Sequence, residues 1–317
     1  MRRFSLKNKA VLISGGSRGL GLALARKFCS EGARVALLAR DENELSRARN
    51  DLIARGSDAL AIQCDLHDRA QIQNAVRATV EHFGKIDILI NNAGIIEVGP
   101  LRHMTREDFE RSMALHFWAP FYLIMETLPH FLRAGGGRIV NISSIGGKVA
   151  VPHMAPYCTS KFALTGFSDA IRAELAPLQI FVTTVAPGMM RTGSHVQAKF
   201  KGDQESEYAW FASASAMPIV SISAERAAAR IVAACRRGKL FLVMPLPTRM
   251  FLIANAVFPN LTARVLNFAN SFFPSSSAAE GKEMRAGVEL RSVAAVPQWL
   301  KARGDYASKQ NNESDPR

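Results

Sequence analysis

Through the first 190 residues, short apolar runs alternate with longer stretches in which apolar side chains recur every three or four positions. The runs at 10–14, 34–39, 59–64, 86–90, 138–143 and 180–186 are rich in Val, Ile and Leu and read as strands. Between them lie helical patterns that begin near Leu20, Glu42, Arg69, Arg106, Ala155 and Ala224. Strands separated by helices of this length imply βαβ crossovers and a parallel sheet covered on both faces. The predicted fold is therefore α/β, a Rossmann-like doubly wound sheet.

After Pro187 the pattern loosens into "GMMRTGSHVQAKFKGDQESEY", a polar stretch that reads as a mobile loop over the carboxyl edge of the sheet, a plausible lid. The helical pattern at 224–237 and the run "KLFLVMP" would complete the sheet. A polar tail from about Lys301 reads as disordered.

Composition adds bounds. A chain of 317 residues with 48% hydrophobic content has ample material for a buried core. The four cysteines lack the close spacing of a zinc site, so no metal is expected, and they read as reduced thiols of a cytoplasmic protein. The net charge of +13 suits an anionic partner, but the basic residues are spread along the chain and no nucleic-acid motif accompanies them. The apolar run "AVLIS" near the start is too short for a signal-peptide core.

The segment "VLISGGSRGLGLALARKF" is a strand, then Gly15, Gly16, Gly19 and Gly21, then a helix. That arrangement brings backbone close to a diphosphate and presents to it free N–H groups and the positive end of a helix dipole. It should bind a dinucleotide. The second strand ends in Ala39 and Arg40, where an NAD-binding fold would place an acid, and Arg18 lies in the loop itself. Two guanidiniums suit a 2′-phosphate, so NADP(H) is preferred, with NAD(H) possible because Asp41 follows directly.

"YCTSK" places Tyr157 and Lys161 on one helical face, where a phenol and an amine reach the same small volume. Taken in order and spacing, "SGGSRGLG" (14–21), "NNAG" (91–94), "NISS" (141–144), "YCTSK" (157–161) and "PGMMRT" (187–192) resemble the motifs of short-chain dehydrogenases/reductases of the classical type, over about residues 7–240. The resemblance implies Ser144 as catalytic serine, Tyr157 as general acid or base and Lys161 as its partner on the nicotinamide ribose. It implies a cofactor site formed by Gly15, Ser17, Arg18, Gly19, Leu20, Gly21, Arg40, Asp65, Asn91, Ala93, Gly94, Tyr157, Lys161, Pro187, Gly188 and Thr192. It also implies a homodimer or homotetramer. An ammonium beside the phenol is expected to lower the tyrosine's pKa. Ser143 reads as structural, and Cys158 as a small buried residue.

The sequence departs from the family pattern at one point. Where members carry an asparagine that holds a water linking the lysine to solvent, His116 aligns, either taking over that relay or simply packed. The C-terminal stretch 240–274 is strongly apolar but its charge-free run, 250–263, covers only 14 residues, too few for a span of about 20. Leu261, Val265, Phe268 and Phe272 share a helical face, which either lies at a bilayer surface beside Arg249 and Arg264 or packs as a pocket cap or subunit contact. With Met189, Met190, Trp210, Phe211 and Met217, this favours a lipophilic substrate: a 3-keto lipid, a steroid-like ketone or a long-chain aldehyde. The expected division is a dinucleotide-binding catalytic domain at 1–240, an apolar helical extension at 241–300 and a tail at 301–317. The alternatives are a non-catalytic scaffold of the same fold and an NAD-dependent alcohol dehydrogenase.

Overall fold

The computed structural model describes residues 4–218, 220–274, 283–292 and 294–313. Seven strands, β1 (Ala10–Ser14), β2 (Arg34–Ala39), β3 (Ala59–Gln63), β4 (Ile88–Asn91), β5 (Gly137–Ile142), β6 (Ile180–Pro187) and β7 (Phe241–Met244), form one sheet in the order β7-β6-β5-β4-β1-β2-β3. All neighbours pair in parallel. The chain therefore reverses its direction of travel between β1 and β4, and a crevice opens beyond the carboxyl ends of those strands.

Helices cover both faces, as the unbroken apolar runs require. One core joins α1 (Gly19–Ser30), α2 (Glu42–Ala54) and α8 (Ala224–Arg237) to one face through Leu24, Phe28, Leu45 and Ile231. The other joins α3 (Arg69–Phe83), α5 (Ala119–Arg133) and α6 (Ala155–Leu175) to the opposite face through Ile72, Leu123, Phe131 and Leu175. Local chemistry sets several boundaries: Asp41, Asp68 and Ser223 cap helix N-termini, and Gly84 and Gly238 leave helices with positive φ. The helical pattern from Arg106 is in fact α4 (Arg106–Met113) and α5, joined by a π-helical turn at Ala114–Trp118.

Two expectations change. The stretch after Pro187 is not a plain loop: Met189–Arg191 pairs with Ser221–Ser223, and α7 (Gln204–Ala216) follows, capped by Asp203. The tail expected to be disordered contains α11 (Gln298–Gln310), which buries Leu300, Gly304, Ala307 and Ser308. Its composition is polar, but small residues at the contact let the helix lie close to His195, as the position of Gly304 against that ring demands. Sparse large apolar residues hid this packing from a composition argument.

At the amino ends of the strands, the carboxylate of Asp87 accepts from Lys9 Nζ (2.7 Å) and from the Ala10 N–H (2.9 Å), with Lys85 alongside. Burial pushes its pKa up, but these partners outweigh burial and hold it below the ordinary range. A carboxyl with a depressed folded pKa stabilises the fold above its unfolded value, about 3.9, and that contribution fades as pH falls. Asp87→Asn should cost about 1–3 kcal/mol at pH 7 in urea unfolding, with a gap to the parent protein that narrows below about pH 4.

Candidate active site

The crevice is a cavity of about 940 Å³. Its lining runs from Arg40 and Asp65, past the glycine loop, Ala93 and Gly94, to Ser144, Tyr157, Lys161, Pro187, Gly188 and Thr192. Every contributing loop leaves the carboxyl end of a strand, so the sheet itself brings these distant segments together. Ser14 and Asn92 bind the glycine loop to β4: the Asn92 side chain donates to the carbonyls of Ser14 (3.1 Å) and Gly15 (3.0 Å), and the Asn92 N–H donates to Ser14 Oγ (3.0 Å).

Most of the expected cofactor residues line the cavity, including Gly15, Ser17, Arg18, Gly19 and Leu20. Two of them serve the frame instead. Asn91 is buried and donates to Asn141 Oδ1 (2.8 Å), and Asn141 Nδ2 in turn donates to Ser168 Oγ (2.8 Å). Gly21 packs α1 against the loop, where any Cβ would collide with the Gly15 carbonyl. Asn92 and Glu44 were not anticipated. Glu44 accepts from Arg18 (2.6 Å) and Ser17 (3.0 Å), so Arg18 is engaged by a carboxylate. Arg40 is exposed at the rim and forms no ion pair among the described residues.

α6 begins at Ala155 with Pro156 in its first turn, and carries Tyr157 and Lys161 inward. Ser144, just past the end of β5, accepts from the Gly146 N–H (3.0 Å), and its hydroxyl lies near enough to the Tyr157 phenol to favour the charged form. Burial pushes the Tyr157 phenol up to about 12, a rise that the Ser144 hydroxyl opposes. Burial likewise pushes Lys161 down to about 7. Its ammonium donates to the Ile142 carbonyl (2.9 Å) and lies 5.8 Å from the centre of the tyrosine ring. The expected lowering of the tyrosine by the lysine is thus absent here, because burial disfavours both charged forms. Ser143 bonds Thr165 (2.7 Å) and the Lys161 carbonyl, and Cys158 is buried, each as expected.

His116 is fully buried and both its nitrogens are taken by protein. Nε2 accepts from the Ile95 N–H (3.1 Å), which places the ring proton on Nδ1, bonded to Ser160 Oγ (2.8 Å). Ser160 donates in turn to the Tyr157 carbonyl (2.8 Å). Burial, and then Lys161, hold the imidazole well below its ordinary pKa. A ring so committed has no lone pair or N–H left for a water relay; the geometry ties the loop after β4 to the helix that carries Tyr157.

The residues from 9 to 202 match the family model described as short chain dehydrogenase. The chain belongs to the short-chain dehydrogenase/reductase family. A dehydrogenase/reductase SDR family protein 7-like from Anopheles gambiae is 38% identical, over 61% of this chain and 62% of that protein. A fatty acyl-CoA reductase from Acinetobacter baylyi is 30% identical over 92% of this chain and 94% of its own length. Among solved structures, a metagenomic short-chain oxidoreductase in complex with NADP is 37% identical with a TM-score of 0.56, covering 59% of this chain and 85% of that one. The 3-ketoacyl-(acyl-carrier-protein) reductase of Brucella melitensis, complexed with NADH, is 25% identical with a TM-score of 0.67, covering 76% and 98%.

Lys161 offers a direct check of the buried pair. Its folded pKa of about 7 is depressed, so in the window up to its unfolded value the unfolded chain binds more protons. The stability of the protein should then rise from about pH 7 to about pH 10 through this group. Lys161→Met removes the rise, so the excess stability of the variant in urea unfolding should shrink across that window.

Proposed function

We propose that the protein is an NADP(H)-dependent oxidoreductase that interconverts a carbonyl and an alcohol on a lipophilic substrate, with Tyr157 exchanging the proton. The observation that carries this is the meeting of Ser144, Tyr157 and Lys161 with the glycine loop around one cavity whose lining includes an apolar group: Val151, Met154, Met189, Met190, Trp210 and Phe211. Met217 lies outside that wall.

The donor set fits a dinucleotide. Gly15, Ser17, Arg18, Gly19 and Leu20 would hold its diphosphate stretch, Asp65, Ala93 and Gly94 its adenosine side, and Lys161, Pro187, Gly188 and Thr192 its nicotinamide end. Gly94 is close enough to His116 that a Cβ would lie 2.9 Å from Nε2, so this part of the cradle tolerates only glycine. Bound NADP(H) supplies or accepts the hydride. Ser144 orients the substrate oxygen by a hydrogen bond, and Tyr157 protonates it. A phenol near pKa 12 is fully protonated at neutral pH, the form that carbonyl reduction requires. His116 is a positioning residue for Tyr157.

Arg40 supports the choice of NADP(H): just after β2, where a 2′-phosphate would stand, it is exposed, forms no ion pair among the described residues and feels the charge of Asp65. Tyr157→Phe should lower turnover by about 10²–10⁴-fold while leaving cofactor affinity near the parent value. Turnover unchanged by that substitution would favour a non-catalytic scaffold. Arg40→Ala should abolish a preference of at least about tenfold for NADPH over NADH in fluorescence titrations, a difference of about 1.4 kcal/mol. Equal binding of both cofactors by the parent protein would point instead to an NAD-dependent alcohol dehydrogenase.

The substrate class draws on the region after β7. α9 (Leu246–Val257) buries no side chain, and α10 (Pro259–Asn270) buries only Thr262. Leu246, Met250, Ile253 and Val257 on one helix, and Leu261, Val265 and Phe268 on the next, continuing to Phe272, face solvent. Two contacts tie this pair to the cavity: Thr248 packs on Gly188, and Phe273 meets the ring of Trp210 edge-on at 4.7 Å. Among the described residues no helix is long and apolar enough to cross a membrane. The reading is a surface-lying pair, with exposed Arg249 and Arg264 toward anionic headgroups, that delivers a lipophilic carbonyl to the mouth. The fatty acyl-CoA reductase relative supports that substrate class. The purified protein should float with anionic liposomes at low salt, and Phe268→Asp with Phe272→Asp should abolish flotation. Failure of the parent protein to float under those conditions removes the membrane reading.

A further inference from the structure

Residues 311–313, the last described, enter the cleft. α11 runs beside the segment after Pro187, where Gly193 leaves no room for a side chain against Ser308, and carries Asn311, Asn312 and Glu313 onto the glycine loop. The contacts are specific. The Gly19 N–H donates to the Asn311 carbonyl (2.8 Å), and Asn312 Nδ2 donates to the carbonyls of Ser17 (2.9 Å) and Glu44 (3.2 Å). Arg47 donates to Asn312 Oδ1 (3.0 Å), and Gln197 donates to the Glu313 carbonyl (3.2 Å).

Glu313 is only 5% exposed and belongs to the lining of the cavity. Its carboxylate lies against Gly19, close to Thr192, with Oε2 3.4 Å from Arg18 Nε in a geometry that forms no hydrogen bond. A buried carboxylate with an unsatisfied oxygen is costly and calls for a reason. The reason is its address. The N-terminal turn of α1 is where a fold of this kind receives a diphosphate, by free N–H groups and the helix dipole. In the free protein the Gly19 N–H is already taken by Asn311, and a carboxyl of the chain's own, its pKa pushed up to about 7 by burial against the pull of Arg18, already stands beside that guanidinium.

We propose that residues 311–313 are an internal occupant of the dinucleotide's diphosphate position, so that cofactor binding requires Asn311–Glu313 to be displaced from Gly19 and Arg18. The affinity measured for the intact chain is then reduced by the fraction of molecules in which the segment is away. Both nicotinamide dinucleotides carry the same diphosphate, so the effect is the same for NADPH and NADH and is independent of the choice between them.

The test compares the intact protein with a chain ending at Gln310 and with Glu313→Gln, each titrated with NADPH and with NADH and followed by stopped-flow nicotinamide fluorescence. Circular dichroism melting verifies that each variant is folded. The shortened chain should bind both cofactors at least about fivefold tighter, through faster association, and Glu313→Gln should shift in the same direction. Unchanged affinity, or weaker binding with faster release, would overturn the proposal and make the segment an ordinary wall of the cofactor site. Should the shortened chain fail to fold, Glu313→Gln decides by the same criterion.

Discussion

The site depends on how closely the loops leaving β1 and β4 approach each other. Asn92 sets that distance by holding the Ser14 and Gly15 carbonyls, and Gly15 and Gly21 permit it because neither brings a Cβ into the contact. From there a continuous set of bonds leads to the reacting end: Ile95 to His116, His116 to Ser160, Ser160 to the backbone of Tyr157. The glycine loop and the Tyr157 phenol are thus joined through one network of hydrogen bonds between neutral groups. A neutral network suits this place, because any fixed charge there would act directly on Tyr157 and Lys161.

Those two side chains are held in the same low-dielectric volume, and burial moves both toward their neutral forms. The pair therefore differs from a simple ion pair of phenolate and ammonium. Near neutral pH the lysine sits at its own titration point, where a nearby change of charge has most effect on its protonation. The glycine loop shows the same economy of charge in another form: Arg18 is answered by Glu44 and Glu313, while Arg40 stands open to solvent at the rim.

The segments beyond the sheet give the family framework its particular character. α9 and α10 turn apolar stripes outward instead of adding to the core; Thr248 of α9 packs on Gly188, and Phe273, just after α10, meets Trp210. α11 does the reverse, using small residues to pack a polar helix tightly and to bring the last described residues onto the glycine loop.

Much of this was legible in the residues. The alternation of apolar runs and amphipathic stretches determined the doubly wound sheet, since buried parallel strands and covering helices each have their own period. Local chemistry marked the glycine loop and the Tyr157–Lys161 pair, because a diphosphate cradle and two side chains on one helical face depend on residue type and spacing, and the resemblance to ordered family motifs added Ser144. Tertiary structure alone decided the rest. That Asn91 and Gly21 serve the frame, that His116 is a buried strut, that Glu44 engages Arg18 and that Glu313 reaches Gly19 from nearly 300 residues away are facts of contact between segments remote in sequence. The pKa values of Tyr157 and Lys161 belong with them. Desolvation is set by everything packed around a group, and no local pattern encodes it.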